Sequence, residues 1–303
     1  MTLSRRELLR GALVSLATLA LPDPLRAALL RGDPDAEDAR RLDRWVRTIR
    51  AEGLDRADLP LGRAVDRAAE LAIGTPYVPN TLEAYLRAGG SPRDREPLTL
   101  SLSHFDCVTL VESSLALARA ARRSGEPDWA AFAREVERVR YRGGTREGYL
   151  SRLHYFSEWL DDNERRGLVR VLGRELGGEP DTRPLRFMST HPDSYPAMRD
   201  AAVRAGVAAM EKRLDGRPRW VIPTERIAAV QDRIETGDVL AFATAIEGLD
   251  VTHSALAHRG PDGVLHVLHA PLSGGEVEIS GTTLPEYVAR IRRSTGILVA
   301  RPR

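Results

Sequence analysis

Over the first two-thirds of the chain, apolar residues recur every three or four positions, the spacing of helices that bury one stripe. Residues 35–50 carry Leu42, Trp45, Val46 and Ile49 on such a stripe. Residues 60–73 continue it with Leu61, Val65, Ala68, Ala69 and Ala72 until Gly74-Thr75-Pro76 stops the pattern. A helix over 106–123 would bury Val108, Val111, Leu115 and Ala118, and 128–141, 149–162 and 197–214 have the same spacing. After Pro218 the runs shorten. Val221-Ile222-Pro223 leads into a short helix over 225–231, and strands are expected over 239–246, 252–258 and 264–270, with a weaker one over 277–279. Thr283 with Glu286 three residues later forms a capping box for a last helix, and 296–300 returns as a strand. Helices first and an antiparallel sheet second give the α+β class. The expected organisation is one domain over 29–303, helical over about 35–215 and β-rich over about 218–303.

The segment before that domain has a different pattern. Ser4-Arg5-Arg6-Glu7-Leu8-Leu9-Arg10 precedes an apolar run over 11–21 that Pro22-Asp23-Pro24 closes. The run is shorter than the ~20 residues of a membrane span and fits a secretory leader over 1–28, its paired arginines resembling a twin-arginine signal. An exported, periplasmic protein is expected, tethered to the membrane if the poorly written cleavage site is not used. The 303 residues hold 45 basic and 43 acidic side chains, a net charge of +2. Of the bases only Lys212 is not arginine. Without residues 1–28 the balance is 41 against 41, so the body is neutral and offers no basic face for nucleic acid or an anionic membrane.

One cysteine, Cys107, excludes an internal disulfide and any cysteine-based metal site. It lies between the polar pair His104 and Asp106 and a helical stretch, hence at a helix N-terminus. There the dipole and free amides should favour thiolate, lower its pKa and stabilise an oxyanion. The other reading of a lone cysteine is inert packing. A thiolate nucleophile needs a base, and the hairpin around Gly260-Pro261-Asp262-Gly263 offers two histidines. A loop of two or four residues would set His253 opposite Ala270 and turn His269 to the other face. A three-residue loop, with Gly263 left-handed, pairs Gly260 with Val264 and makes His253 and His269 diagonal neighbours on one face, ~7–8 Å apart at Cα. His253 is then the base and His269 its orienter, while His258 and His266 fall on the opposite face. His104, His154 and His191 are read as structural. No helical His-Glu-x-x-His, phosphate-cradling glycine loop or Gly-x-Ser-x-Gly elbow occurs, so no metal and no cofactor are expected.

Gly74-Thr75-Pro76-Tyr77, Thr81-Leu82-Glu83, Phe105-Asp106-Cys107-Val108-Thr109-Leu110-Val111-Glu112 and Ser151-Arg152-Leu153-His154-Tyr155 continue into Ile222-Pro223, Gly237-Asp238, Gly248-Leu249-Asp250-Val251-Thr252-His253 and Leu268-His269-Ala270. In this order the motifs resemble the N-acetylmuramoyl-L-alanine amidase-like family, first catalogued as a domain of unknown function, over roughly 60–300. That family looks like a branch of the NlpC-type, papain-like cell-wall cysteine peptidases, in which a Cys-bearing helix packs on an antiparallel sheet. The resemblance implies Cys107 as nucleophile, His253 as base and His269 as third member. It implies Tyr77 beside the sulfur, as oxyanion donor or as packing, and Asp106 in substrate binding, although a helix cap is as physical a role. Thr109, Glu112, Arg152 and His154 match family positions without a role. Asn80 and Ala255 depart from it, where glycine or small residues are usual. The implied activity is hydrolysis of the muramoyl–L-alanine amide of peptidoglycan or muropeptides, with no protein partner. A γ-D-glutamyl–diamino acid endopeptidase and an inactive wall-binding module are the alternatives.

Overall fold

In the computed structural model, which describes residues 35–303, the helical spacing resolves into α1 (Ala36–Ala51), α2 (Leu61–Glu70), α3 (Cys107–Ala121), α4 (Trp129–Arg140), α5 (Phe156–Arg165), α6 (Ala201–Leu214) and α7 (Leu284–Arg290), joined by shorter helical turns. The 1–28 leader lies outside the described residues. No helix among the described residues is long and apolar enough to cross a membrane. The strands are β1 (Val169–Val171), β2 (Glu179–Asp181), β3 (Arg219–Pro223), β4 (Val239–Thr244), β5 (Val251–Arg259), β6 (Leu265–His269), β7 (Glu278–Ile279) and β8 (Ser294–Pro302). They form one antiparallel sheet in the order β2-β3-β8-β4-β5-β6-β7, with β1 also on β8. The protein is therefore α+β, as the order of patterns predicts.

Strand alternation separates two cores. Val239, Ala241 and Ala243 of β4, with Leu256, Leu268, Leu298 and Ala300, pack on α1 to α5. Their neighbours Leu240 and Phe242, with Ala255, Ala257, Val267, Ile297 and Val299, pack on Leu284 and Val288 of α7. β4 is buried at all six positions, which is why it reads as an unbroken apolar run. α3 is buried nearly all round and forms the centre of the helical layer. At the start of β4, Gly237 has φ +81°, and a Cβ there would stand 1.9 Å from the Gly62 carbonyl oxygen. Only glycine lets α2 approach so closely.

Three sequence expectations need correction. The helix expected over 149–162 begins only at Phe156, because Arg152 is drawn into an extended segment: it bridges Tyr141, and its guanidinium lies within 3.3 Å of Glu83 and 3.5 Å of Glu96. The stretch over about 35–215, read as helical, contains β1 and β2, and Val221-Ile222-Pro223, read as a lead-in to a short helix, belongs to the strand β3. These short strands have few alternating positions to betray them.

Candidate active site

The position of Cys107 is fixed from both ends of its segment. Asp106 caps α3, its Oδ1 accepting the Thr109 amide at 2.8 Å while Thr109 Oγ1 accepts the Asp106 amide at 2.8 Å. One turn further, Glu112 accepts from Arg140 Nε at 2.6 Å and from Trp159 Nε1 at 3.3 Å, so the buried face of α3 is anchored by an ion pair. Upstream, the Phe105 amide donates to the Pro76 carbonyl at 3.0 Å and the Val78 amide to the Phe105 carbonyl at 2.8 Å. The Tyr77 amide donates to Gly275 at 2.7 Å. Three distant segments thereby meet at Cys107. Asn80 has φ +58°, in the left-handed region that glycine adopts most readily.

The hairpin takes the three-residue-loop register. Leu256 faces Leu268 and His258 faces His266, the Gly260 amide donates to Val264 at 3.0 Å, and Gly263 has φ +79°. His253 and His269 accordingly share a face, and His253 Nε2 lies 2.9 Å from His269 Nδ1. The His253 ring stacks on Phe242, its cross-strand partner, at 5.6 Å between centroids. The Tyr287 hydroxyl lies 3.3 Å from His269 Nδ1. Asp250, the residue before β5, accepts the Ser157 amide at 2.7 Å, tying the start of β5 to the first turn of α5.

Burial sets the protonation states. It pushes the Cys107 thiol up to about 11, with the Asp106 charge adding, while the Ser254 amide and hydroxyl and the Val108 amide pull the other way. The lowered thiol pKa expected at a helix N-terminus is thus overturned: the helix amides act in the expected direction, but desolvation outweighs them. Burial drops His253 to about 3, with His269 contributing, and drops His269 to about 4. At neutral pH these shifts favour the neutral form of all three groups. Burial also raises Tyr77 to about 12, with Cys107 and then Asp106 adding, so its hydroxyl stays a protonated donor.

The link between thiol and histidine runs through adjacent residues. Among the described residues no hydrogen bond joins the Cys107 sulfur to His253, and the residue acting on the sulfur from β5 is Ser254, next in the chain. Tyr77, Ser254 and Tyr287 lie within electrostatic reach of the Cys107 sulfur, and Tyr287 in turn contacts His269 of the His253–His269 pair. Asp106 is engaged as the cap, which accounts for one of its two oxygens. His258 bonds Asp66 at 3.0 Å, and His266 lies 3.0 Å from the Ser280 carbonyl oxygen. His104 pairs with Ser101, while His154 and His191 pair with backbone carbonyls, as structural histidines do.

Asp66, Glu70 and His258 are the described residues that could hold a metal, their ligand atoms lying within 4.8 Å of one another. Asp66 and His258 already satisfy each other, and Glu70 pairs with Arg67, so the group is complete as an ion-pair cluster. A cavity of about 520 Å³, lined by Arg93, Arg142, Glu147, Leu150 and Val203, contains none of the gathered residues. Sequence reasoning missed Ser254, Phe242, Tyr287 and Glu278. Tyr287 sits one turn after the Thr283 cap and Glu278 directly opposite His269, so cap and register were the available signals.

The fold and site define an α+β protein that presents a thiol at a helix N-terminus beside a neutral histidine pair. The chain belongs to the N-acetylmuramoyl-L-alanine amidase-like family, whose match spans residues 68–297. A crystal structure of an N-acetylmuramoyl-L-alanine amidase from Bacteroides uniformis is 28% identical with a TM-score of 0.73, covering 80% of this chain and 99% of that one. A Bacteroides fragilis protein with a provisional xylanase name is 33% identical at TM-score 0.69, over 77% of this chain and 99% of that one. A Legionella pneumophila protein shares the fold at 17% identity and TM-score 0.61, over 89% of this chain and 97% of that one. No curated protein matches.

Proposed function

We propose that the protein is a cysteine amidase that hydrolyses the N-acetylmuramoyl–L-alanine bond of peptidoglycan or its muropeptides, on a core of the papain-like NlpC type. The observation that carries the mechanism is the 2.9 Å contact between His253 Nε2 and His269 Nδ1. It engages one nitrogen of His253 and leaves the other, Nδ1, for proton transfer. The choice of bond rests on the family and on the Bacteroides uniformis amidase.

Because thiol and imidazole are both neutral at rest, the Cys107 proton passes to His253 as the sulfur attacks the lactyl carbonyl, so no free thiolate precedes the bond. In this reading amides at the start of α3 and the Tyr77 hydroxyl stabilise the oxyanion. His253 then protonates the alanine nitrogen, the C–N bond breaks, and the muramoyl group remains as a thioester on Cys107. Water gives its proton to His253, attacks the thioester, and releases the muramoyl carboxylic acid as the thiol regains its proton. The provisional xylanase name would require two carboxyl groups across a glycosidic bond. Near Cys107 the capping role of Asp106 and the place of Glu278 beside His269 favour acyl transfer instead. The same reading takes the 1–28 leader as an export signal that carries the enzyme to the periplasm.

Digestion of defined muropeptides tests the assignment. Wild type should release a muramoyl carboxylic acid and a peptide with a free L-alanine amine, and folded Cys107→Ala should release neither. Release of an L-Ala-D-Glu dipeptide would transfer the assignment to the γ-D-glutamyl endopeptidase, and full turnover by Cys107→Ala would end the cysteine mechanism.

A further inference from the structure

Two histidines in contact, His269 buried and His253 half-buried, pose a question that the triad alone does not answer: which nitrogen of each carries the proton. A neutral imidazole has one N–H, and the pair works as base and orienter only if the shared proton belongs to His253. If it belonged to His269 Nδ1, then His253 Nε2 would be the acceptor, His253 Nδ1 would carry the other proton, and no lone pair would remain for the thiol.

His269 Nε2 is buried without a hydrogen-bond partner, and 3.6 Å from it stands a carboxylate oxygen of Glu278. Glu278 is the direct cross-strand partner of His269 in the β6–β7 ladder, so the register holds it there. At 3.6 Å the contact is too long for a hydrogen bond, yet a charge so close biases a proton between two nitrogens. An ionised carboxylate can only accept. A lone pair on Nε2 facing it is repelled, whereas an N–H facing it is favoured. With the proton on Nε2, Nδ1 of His269 becomes an acceptor, which suits the Tyr287 hydroxyl at 3.3 Å as well as His253 at 2.9 Å.

We propose that Glu278 is a positioning residue that fixes His269 in its Nε2–H tautomer, so that His253 donates Nε2–H to His269 and keeps Nδ1 as the basic nitrogen. The proposal rests on the cysteine-amidase reading for its use but not for its test. During attack the thiol proton moves to His253 Nδ1, while the Nε2 protons of both rings stay in place.

Nitrogen-15 histidine labelling of the protein and two-bond nitrogen–proton correlation spectra at neutral pH read the tautomers directly. Single His253→Gln and His269→Gln variants assign the signals. Wild type should show Nε2–H on both rings, and Glu278→Asp should preserve it. Glu278→Lys, whose ammonium donates toward Nε2, should move the His269 proton to Nδ1. Glu278→Gln keeps the shape of the side chain and should give a mixture. Turnover of a muropeptide should fall about 10–100-fold in Glu278→Lys with KM nearly unchanged. An Nδ1–H form of His269 in wild type overturns the proposal, as does an unmoved tautomer in Glu278→Lys. The expected tautomers in a protein that cleaves no muramoyl peptide would sink the functional reading and leave the tautomer relay standing.

Discussion

His253 and His258 share one strand, five residues apart, and the fold treats them in opposite ways. His258 faces α2, bonds the Asp66 carboxylate at 3.0 Å, and is held more basic than an ordinary histidine by that bond. His253 faces α7, meets Phe242 and a second neutral histidine, and is driven down to about 3 by burial. One face of β5 thus pairs its imidazole with charge and uses it for structure. The other gives His253 no carboxylate partner of its own, so that imidazole is held below the ordinary histidine range by burial. The difference lies in the partners, because residue type and strand are the same.

The strongest way to break this comparison is to remove each histidine in turn. His253→Ala should lower muropeptide turnover by about 10⁴-fold, some 5 kcal/mol in barrier, with little change in Tm. His258→Ala should leave turnover within a few-fold but lower Tm, since Asp66 would stay buried without its partner. Equal losses of turnover in the two variants would mean that the faces are not divided as described. Next comes the anchor of the thiol helix. Arg140→Met leaves Glu112 buried and unpaired, which should cost about 3–5 kcal/mol of stability and about 10 °C in thermal melting. An unchanged Tm there would show that the 2.6 Å ion pair is not what secures α3.

Much of the hairpin side was legible because strand pairing has a period of two and Pro261-Asp262-Gly263 specifies a loop length. Those two rules place His253 with His269 and send His258 to the other face, as the register bears out. Capping chemistry was as legible: Thr283 with Glu286 starts α7, and Asp106 starts α3. The buried ion network behind Cys107 was not. Glu112 and Arg140 are 28 positions apart and Glu83 and Arg152 are 69 apart, and nothing local distinguishes a buried arginine from a solvated one in a chain so rich in arginine. The thiol pKa was misjudged for a related reason. A helix N-terminus can be read from sequence, but desolvation of the sulfur is set by tertiary packing, which also brings Tyr77, Ser254 and Tyr287 within its electrostatic reach from three other segments.

The smallest expected effect concerns pH and sharpens the contrast between the faces. Burial holds His269 down to about 4, whereas an unfolded histidine titrates near 6.5. Between those values the unfolded chain binds the extra proton, so stability rises with pH and is lost as pH falls below about 6.5. His258 has the opposite sign: its folded pKa is raised, so its contribution is complete below about 6.5 and fades as pH climbs through the folded value. His269 therefore adds to the acid limb, as His253, His154 and His104 do, whereas His258 adds to the neutral-to-alkaline limb. At pH 5.5 a histidine kept neutral in the fold costs about 1.4 kcal/mol, equivalent to about 3–5 °C for a chain of this size. His269→Asn should lose that much less Tm than wild type between pH 7.5 and 5.5, while His258→Ala should keep the acid limb and flatten the other. Superimposable pH–Tm curves for wild type and His269→Asn would mean that His269 gains its proton in the folded state, and the neutral histidine pair would have to be abandoned.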